Sequence, residues 1–156
     1  MTNWLRAAVA VAVVTASALV LLVSPASAGT TQVSGIGTPV SECGGQASDF
    51  TIAMAGGLVG CWYTTIIESR FNPSGTYQEG GTETFVGCLN GTTCGTFSTT
   101  YTFTAKFVDD TFAQEIHGRC HHTIVSGSGD FEGATGMINF KDDVDAGIFL
   151  YAGHIT

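Results

Sequence analysis

The amino-acid sequence predicts an all-β protein, in which a signal peptide at residues 1–28 precedes a single eight-stranded antiparallel β-barrel at residues 29–156. Apolar and polar residues alternate with a period of two in several segments after residue 28, and no segment there shows a helical period of useful length. All 21 glycines lie in this part of the chain, where they separate the alternating segments as turn residues do. These observations, together with a start typical of exported proteins, give the predicted architecture.

The first 28 residues follow the order of a secretory signal peptide. Arg6 supplies a positive charge, an uncharged run extends from Ala7 to Val23, and Ala26-Ser27-Ala28 has the small-x-small pattern that signal peptidase cleaves. The run could instead be a retained membrane anchor, but Ser24-Pro25 ends it near the lower length limit for a span. We therefore expect a secreted, extracellular protein with no transmembrane segment after cleavage; a retained anchor would tether the same domain outside the membrane.

Residues 29–156 are acidic, with four basic residues against thirteen acids and hence a formal charge of −9. Binding to nucleic acid is not expected, because phosphate contacts need a basic patch that four scattered cations do not form. An anionic membrane surface is disfavoured for the same reason. The charge instead favours the solubility of an exported protein.

The clearest strand is predicted from Gly95 to Val108, and the next from Phe112 to Val125. In the first, odd positions are mostly aromatic and even positions mostly threonine, so one face should lie in a core and the other in water. In the second, even positions are mostly apolar, and Asp109-Asp110 forms the turn between the two strands. The predicted inward sets are Phe97, Thr99, Tyr101, Phe103, Ala105 and Phe107 in the first strand, and Phe112, Ile116, Gly118, Cys120 and Ile124 in the second.

Six further strands bring the predicted total to about eight. Their ranges are Gln32–Val40, Phe50–Ala55, Cys61–Phe71, Thr82–Leu89, Ala134–Lys141 and Gly147–Ile155. An open sheet of this length would expose hydrogen-bonding edges, whereas closure into a barrel removes them. The sequence therefore favours an antiparallel meander closed as a barrel.

A glycine-rich turn at Ser126-Gly-Ser-Gly-Asp-Phe-Glu-Gly-Ala-Thr-Gly136 resembles the G-S-G-x-F-x-G-x-x-G turn of the allene oxide cyclase and dirigent barrels. The longer segment from Gly87 to Phe140 is similar to an uncharacterised bacterial family of that barrel superfamily, with strands and turns in the same order. The resemblance implies an allene oxide cyclase-like barrel with a central cavity. The plant members are a lipid-epoxide cyclase and proteins that steer phenoxy-radical coupling, so it also implies a function that depends on the shape of an apolar pocket.

A second motif, Gly60-Cys-Trp-Tyr63, resembles the G-x-W of lipocalins and avidins, in which the tryptophan closes one end of a barrel. We interpret the glycine-rich turn itself as structural, because glycines permit positive φ angles and close packing. A phosphate site is not expected there, since no helix follows whose N-terminus could bind the anion.

Five cysteines in an exported chain predict a disulfide framework with one thiol left over. Cys88 and Cys94 flank an Asn-Gly hairpin turn, so they should face each other within bridging distance. The second bridge is predicted between Cys43 and Cys61, with Cys61 to Cys94 as the main alternative. The first arrangement leaves Cys120 as a free, buried thiol.

The Cys88–Cys94 pairing also predicts the strand register. It places Glu83 opposite Thr99, Phe85 opposite Phe97 and Gly87 opposite Gly95. A four-residue turn at Asp109-Asp110 would then set Phe112 against Phe107, Ile116 against Phe103 and Cys120 against Thr99.

In this register Glu83 lies on the inner, aromatic face of the barrel. Loss of hydration there would suit its carboxyl to act as a general acid or base, which makes Glu83 the candidate catalytic residue. The alternative is that Glu83 lies in water at the barrel mouth or pairs with Arg70 across the preceding hairpin. The candidate ligand-binding residues around it are Phe85, Phe97, Thr99, Tyr101, Phe103, Ile116 and Cys120.

Three histidines on the second strand could suggest a metal site. His117 and His121 share a face, but at roughly 3.3 Å per residue they lie about 13 Å apart, which favours a polar outer surface. His122 points to the opposite face. The sequence contains no nucleophile elbow, zinc-protease, P-loop or dinucleotide-binding motif, and neither a metal nor a cofactor is expected.

The sequence favours two functions over a structural or partner-binding role, for which the threonine faces would be the surface. The first is a secreted barrel that binds a small apolar ligand in its cavity, as barrels of about eight strands can do. The second is a cofactor-independent cyclase or isomerase of the allene oxide cyclase or dirigent type. A barrel filled completely by bulky inward side chains would exclude both.

Overall fold

The computed structural model describes residues 29–156, and the predicted signal peptide at residues 1–28 lies outside the described residues. Eight antiparallel strands pair in chain order, and the last pairs with the first to close a barrel, so the predicted all-β class and closed eight-stranded architecture are confirmed. The strands are β1 (Thr31–Pro39), β2 (Phe50–Gly56), β3 (Leu58–Asn72), β4 (Thr76–Leu89), β5 (Thr93–Phe107), β6 (Glu115–Gly129), β7 (Gly136–Asp143) and β8 (Ile148–Ile155). Among residues 29–156 there is no helix with the length and apolar character needed to cross a membrane.

The hairpin of β4 and β5 has the predicted register. Cys88 lies opposite Cys94, Glu83 opposite Thr99 and Phe85 opposite Phe97. Strand β4, however, begins at Thr76, well before the predicted start at Thr82. Gly80 and Gly81 interrupt the alternation of side chains in this part, so the pattern that predicts a strand is lost although the backbone pairing continues.

The predicted register between β5 and β6 is wrong. Phe103 lies opposite Cys120, and Thr99 lies opposite Ile124. The connection is longer than a four-residue turn because Asp109 accepts a hydrogen bond from the Thr111 backbone at 2.9 Å, and Phe112 adopts a positive φ of 55° instead of starting the strand. The register moves by an even number of residues, so Cys120 still points inward.

Ile116 does not face the interior as predicted. Lys106 pairs with His117 and Phe107 pairs with Glu115, which leaves Ile116 without a partner in a β-bulge. The side chain of Ile116 is 52% exposed. A bulge changes which residues face inward, and the alternation of apolar and polar residues in the sequence does not predict where a bulge occurs.

The barrel core fills the end at which the even-numbered strands finish. Trp62 lies at its centre, with ring centroids 5.6 Å from Phe97 and 5.1 Å from Phe140. Phe131, from the glycine-rich turn, packs on Phe97 at 5.3 Å and covers this end. Gly127 lets the turn fold back, since a Cβ there would lie 1.9 Å from the carbonyl oxygen of Phe131. The glycine-rich turn therefore has a structural role.

Both predicted disulfides are present. Cys43 is bonded to Cys61 and Cys88 to Cys94, and Cys120 is free and buried. The first bridge ties the long connection between β1 and β2 to the outer face of β3, and the second closes the hairpin of β4 and β5. The alternative pairing of Cys61 with Cys94 does not occur.

Candidate ligand-binding cavity

The other half of the barrel is hollow. A half-open cavity of about 300 Å³ lies at the end where β2, β4, β6 and β8 begin, and Trp62 packs behind two of its lining residues, His122 and Phe140. The apolar and aromatic lining consists of Phe50, Ile52, Ile66, Tyr101, Phe103, Cys120, Phe140 and Phe149. The polar lining consists of Asp49, Thr64, Glu79, Glu83, Glu115, His122 and Asp142. The volume is at the lower end of the range for small-molecule sites.

Glu83 lies deepest among the acids and is only 5% exposed. Its Oε1 accepts a hydrogen bond from Thr64 Oγ1 at 2.9 Å, and its Oε2 accepts one from Thr99 Oγ1 at 3.0 Å. His122 Nε2 lies 3.2 Å from the same Oε2. Arg70 instead donates to Gln78, on an exposed part of the β3–β4 hairpin, so the alternative pairing of Glu83 with Arg70 does not occur.

The geometry of His122 fixes how many protons the Glu83–His122 pair holds. His122 Nδ1 lies 3.0 Å from the carbonyl oxygen of Ile138, which can only accept, so Nδ1 carries a hydrogen. A contact between Nε2 and the Glu83 carboxyl then needs one further proton, held by either partner. The pair is therefore neutral overall and can exchange a proton along one hydrogen bond.

Glu79 accepts hydrogen bonds from two phenols. Tyr101 Oη donates to it at 2.7 Å, and Tyr77 Oη donates to its other oxygen. Burial, followed by the hydrogen bond and charge of Glu79, raises the pKa of Tyr77 to about 12 and raises that of Tyr101 well above its ordinary value. Both phenols thus remain donors at neutral pH, and they hold Glu79 in the cavity wall.

Glu115 and Asp142 form a second pair of acids, near the cavity mouth. Burial, then the hydrogen bond and negative charge of Glu115, raises the pKa of Asp142 to about 7. Gly118 makes room for them, because a Cβ there would lie 2.1 Å from Asp142 Oδ2 and 2.6 Å from Glu115 Oε1. Glu115 Oε1 and Asp142 Oδ1 are both buried and receive no hydrogen bond from a group outside this pair.

The structure brings together about half of the residues predicted for the site. Glu83, Tyr101, Phe103 and Cys120 line the cavity, and Thr99 supports it by binding Glu83. Burial, with the nearby charge of Glu83, raises the pKa of the Cys120 thiol, so the sulfur is a neutral wall group.

The remaining three predicted residues do not reach the cavity. Phe85 and Phe97 are fully buried in the filled half of the barrel, where they contact Trp62. Ile116 lies on the outside. The sequence predicts which side chains point inward, but it does not predict which half of the interior is filled.

Several cavity residues are missing from the sequence prediction. His122 and Cys120 are two residues apart on β6, so both side chains point to the same, inner face. The sequence prediction put His122 on the face opposite to His117 and His121 but did not include it in the site. Glu79 lies four residues before Glu83 on β4, so its side chain points to the same face, but it precedes the predicted start of the strand at Thr82. His117 and His121 are exposed, and in the described part of the chain no three His, Cys, Asp or Glu residues stand close enough to hold a metal ion.

The fold and this cavity define a class of protein, a small closed antiparallel barrel with one filled and one open end. Comparison of the chain with protein-family models, curated proteins and solved structures found no match.

Proposed function

We propose that this protein is a secreted binding barrel that holds a small, largely apolar ligand in its open half. The observation that carries the proposal is the cavity of about 300 Å³ with aromatic walls, closed at its inner end by the Trp62 layer. Apolar walls with a few converging polar groups are typical of small-molecule sites. The resemblance of the glycine-rich turn to allene oxide cyclase and dirigent barrels supports a function of the same kind.

Export is part of the proposal. Two disulfides among residues 29–156 are consistent with an oxidising, extracellular compartment, because such bonds rarely persist in the cytosol. The signal-peptide pattern of residues 1–28 supports the same address.

Filling the cavity tests the binding function. Cys120 is buried and lines the cavity, so Cys120→Phe should place a ring in the ligand space, whereas Cys120→Ser nearly keeps the original volume. We expect native mass spectrometry of protein purified from its own host to show a bound small molecule in the parent and in Cys120→Ser, and to show none in Cys120→Phe. Thermal unfolding would verify that both variants are folded.

Two results would contradict the binding function. One is parent protein that carries no ligand from its host and binds none from a library of apolar molecules. The other is a ligand retained unchanged by a folded Cys120→Phe variant, since that ligand would lie outside the cavity.

A second candidate function is a cofactor-independent cyclase or isomerase, favoured by the Glu83–His122 pair at the inner end of the cavity. A buried carboxyl and an imidazole that share one proton can take a proton from a bound molecule and return it at another atom. Catalysis would convert the ligand into an isomer of the same mass, which chromatography separates. Glu83→Gln should stop this conversion and leave binding intact; conversion at the parent rate would exclude Glu83 as the catalytic group.

A further inference from the structure

The cavity is negatively charged. Five of the thirteen acids line it, whereas among the described residues no lysine or arginine does so. His122 is the one basic group in the wall, and it is bound to Glu83. The lining acids are Asp49, Glu79, Glu83, Glu115 and Asp142.

The hydrogen bonds show how much of this charge is compensated. Glu83 and His122 share one proton and together carry no net charge. Glu79 accepts from two phenols, which stabilise a carboxylate without neutralising it, and Asp49 accepts the backbone N–H of Ile66 at 2.8 Å. Glu115 and Asp142 are hydrogen-bonded to each other, and the pKa of Asp142 of about 7 means that this carboxyl becomes charged as the pH rises through neutrality. Among the described residues, none of the four lining acids other than Glu83 forms an ion pair with a basic side chain, so the cavity is left with uncompensated negative charge.

The rest of the described protein supplies no hydrogen-bond donor to the Glu115–Asp142 pair. Glu115 Oε1 and Asp142 Oδ1 are buried, receive no hydrogen bond from outside the pair, and belong to residues of the cavity wall. Two adjacent carboxylates without a proton between them repel each other, so an ammonium group that donates to both would relieve a cost that the unliganded protein carries. Phe149 lies directly across from Asp142 in the β7–β8 register and lines the same cavity. An aromatic surface therefore adjoins this pair of acids, and aromatic faces attract cations.

We propose that the ligand is a small hydrophobic amine, bound as its ammonium ion, with its N–H groups on Glu115 and Asp142 and its apolar body against Phe103 and Phe149. This inference rests on the proposed binding function and names the ligand class of the same cavity. A carboxylate or phosphate ligand would be repelled by the uncompensated charge. A quaternary ammonium would leave Glu115 and Asp142 without a donor, because it carries no N–H.

Three probes with one naphthylethyl body and different charges test the proposal. Naphthylethylamine is cationic, naphthylethanol is neutral and naphthylpropanoate is anionic, and each can be titrated into the purified protein by calorimetry at pH 8. We expect the amine to bind at least about tenfold more tightly than the alcohol, as a charge-assisted hydrogen bond predicts, and the acid not to bind. Glu115→Gln and Asp142→Asn should each weaken the amine about tenfold and leave the alcohol unchanged.

Glu132→Gln is the matched control, because it removes the same charge from an exposed residue at the filled end of the barrel. It should leave all three affinities unchanged. Alcohol binding as tight as amine binding would overturn the amine assignment and leave the binding function standing. If Glu132→Gln weakens amine binding as much as Asp142→Asn does, the preference for the amine reflects only the net charge of the protein. That result would also overturn the amine assignment. Failure of all three probes to bind would count against the binding function itself.

Discussion

Glu83 shows how a charged group is accommodated inside an aromatic barrel. A buried carboxyl is costly unless its oxygens are hydrogen-bonded, and here two threonine hydroxyls and His122 supply the partners. The sequence allowed a prediction that Glu83 points inward, because the hairpin register placed it opposite Thr99. It did not predict His122 as a partner, since β3, β4, β5 and β6 must close side by side before these side chains meet.

Substitutions at Glu83 should separate hydrogen bonding from charge. Glu83→Gln keeps an acceptor for Thr64 and gains an N–H that can donate to neutral His122, so we expect the free energy of unfolding to fall by less than about 1 kcal/mol. Glu83→Ala leaves both threonines and the histidine without their partner and should cost about 3 kcal/mol. Urea unfolding measures both changes. Equal losses for the two variants would show that an amide cannot replace the carboxyl in this network, which would contradict the expected difference.

Asp142 should make the stability of the protein depend on pH. Its pKa of about 7 in the folded state lies above the ordinary value of 3.8, so the folded protein holds this proton more tightly than the unfolded chain does. The contribution of Asp142 is therefore complete below about pH 4 and is lost as pH rises from about 4 to 7. Glu115 and His117 are the charged groups that act on it, in opposite directions.

Asp142→Asn removes that titration. After allowance for the partial exposure of Asp142, we expect the variant to gain about 1 kcal/mol over the parent at pH 8 and only a small fraction of that at pH 4.5. Thermal unfolding at the two pH values measures the difference. The same substitution at the neighbouring exposed Asp145 should have no such effect. A gain at pH 4.5 equal to that at pH 8 would contradict the assignment.

The strands differ in how well the sequence predicts them. The hairpin of β4 and β5 could be predicted in full register because a three-residue turn and a disulfide constrain it locally. The pairing of β5 with β6 could not, since its long connection is stabilised by Asp109 and by packing of Phe112 on Phe107, with ring centroids 5.3 Å apart. The bulge at Ile116 then changes which residue faces inward, and this too depends on contacts distant in sequence.

The glycine-rich turn offers a direct test of why particular glycines are needed. Gly127→Ala would place a Cβ 1.9 Å from the Phe131 carbonyl oxygen, and a backbone atom cannot easily move away. We expect a loss of about 3 kcal/mol, partly because Phe131 would no longer cover the filled end. Gly133→Ala meets no atom within 4 Å but keeps a positive φ of 76°, so it should cost only about 1 kcal/mol. A greater loss at Gly133 in urea unfolding would contradict this account.

Across the whole molecule, stability and binding are assigned to opposite ends of one barrel. Trp62 and the aromatic residues around it fill the first end, whereas carboxylates and a looser set of aromatic residues surround the cavity at the second. The closed barrel could be predicted from alternation, turns and strand number, because these are properties of each segment. The position of the cavity could not, because it depends on how side chains from all parts of the barrel share the interior volume.

The most direct test of the central claim is to locate a bound ligand by NMR. Naphthylethylamine titrated into isotope-labelled protein should give saturable shift changes at Tyr101, Phe103, Phe140 and Phe149, with none at Phe85, Phe97 or Phe131 in the filled end. Saturable changes confined to the filled end or to the outer faces of the strands would contradict a ligand site inside the open half of the barrel.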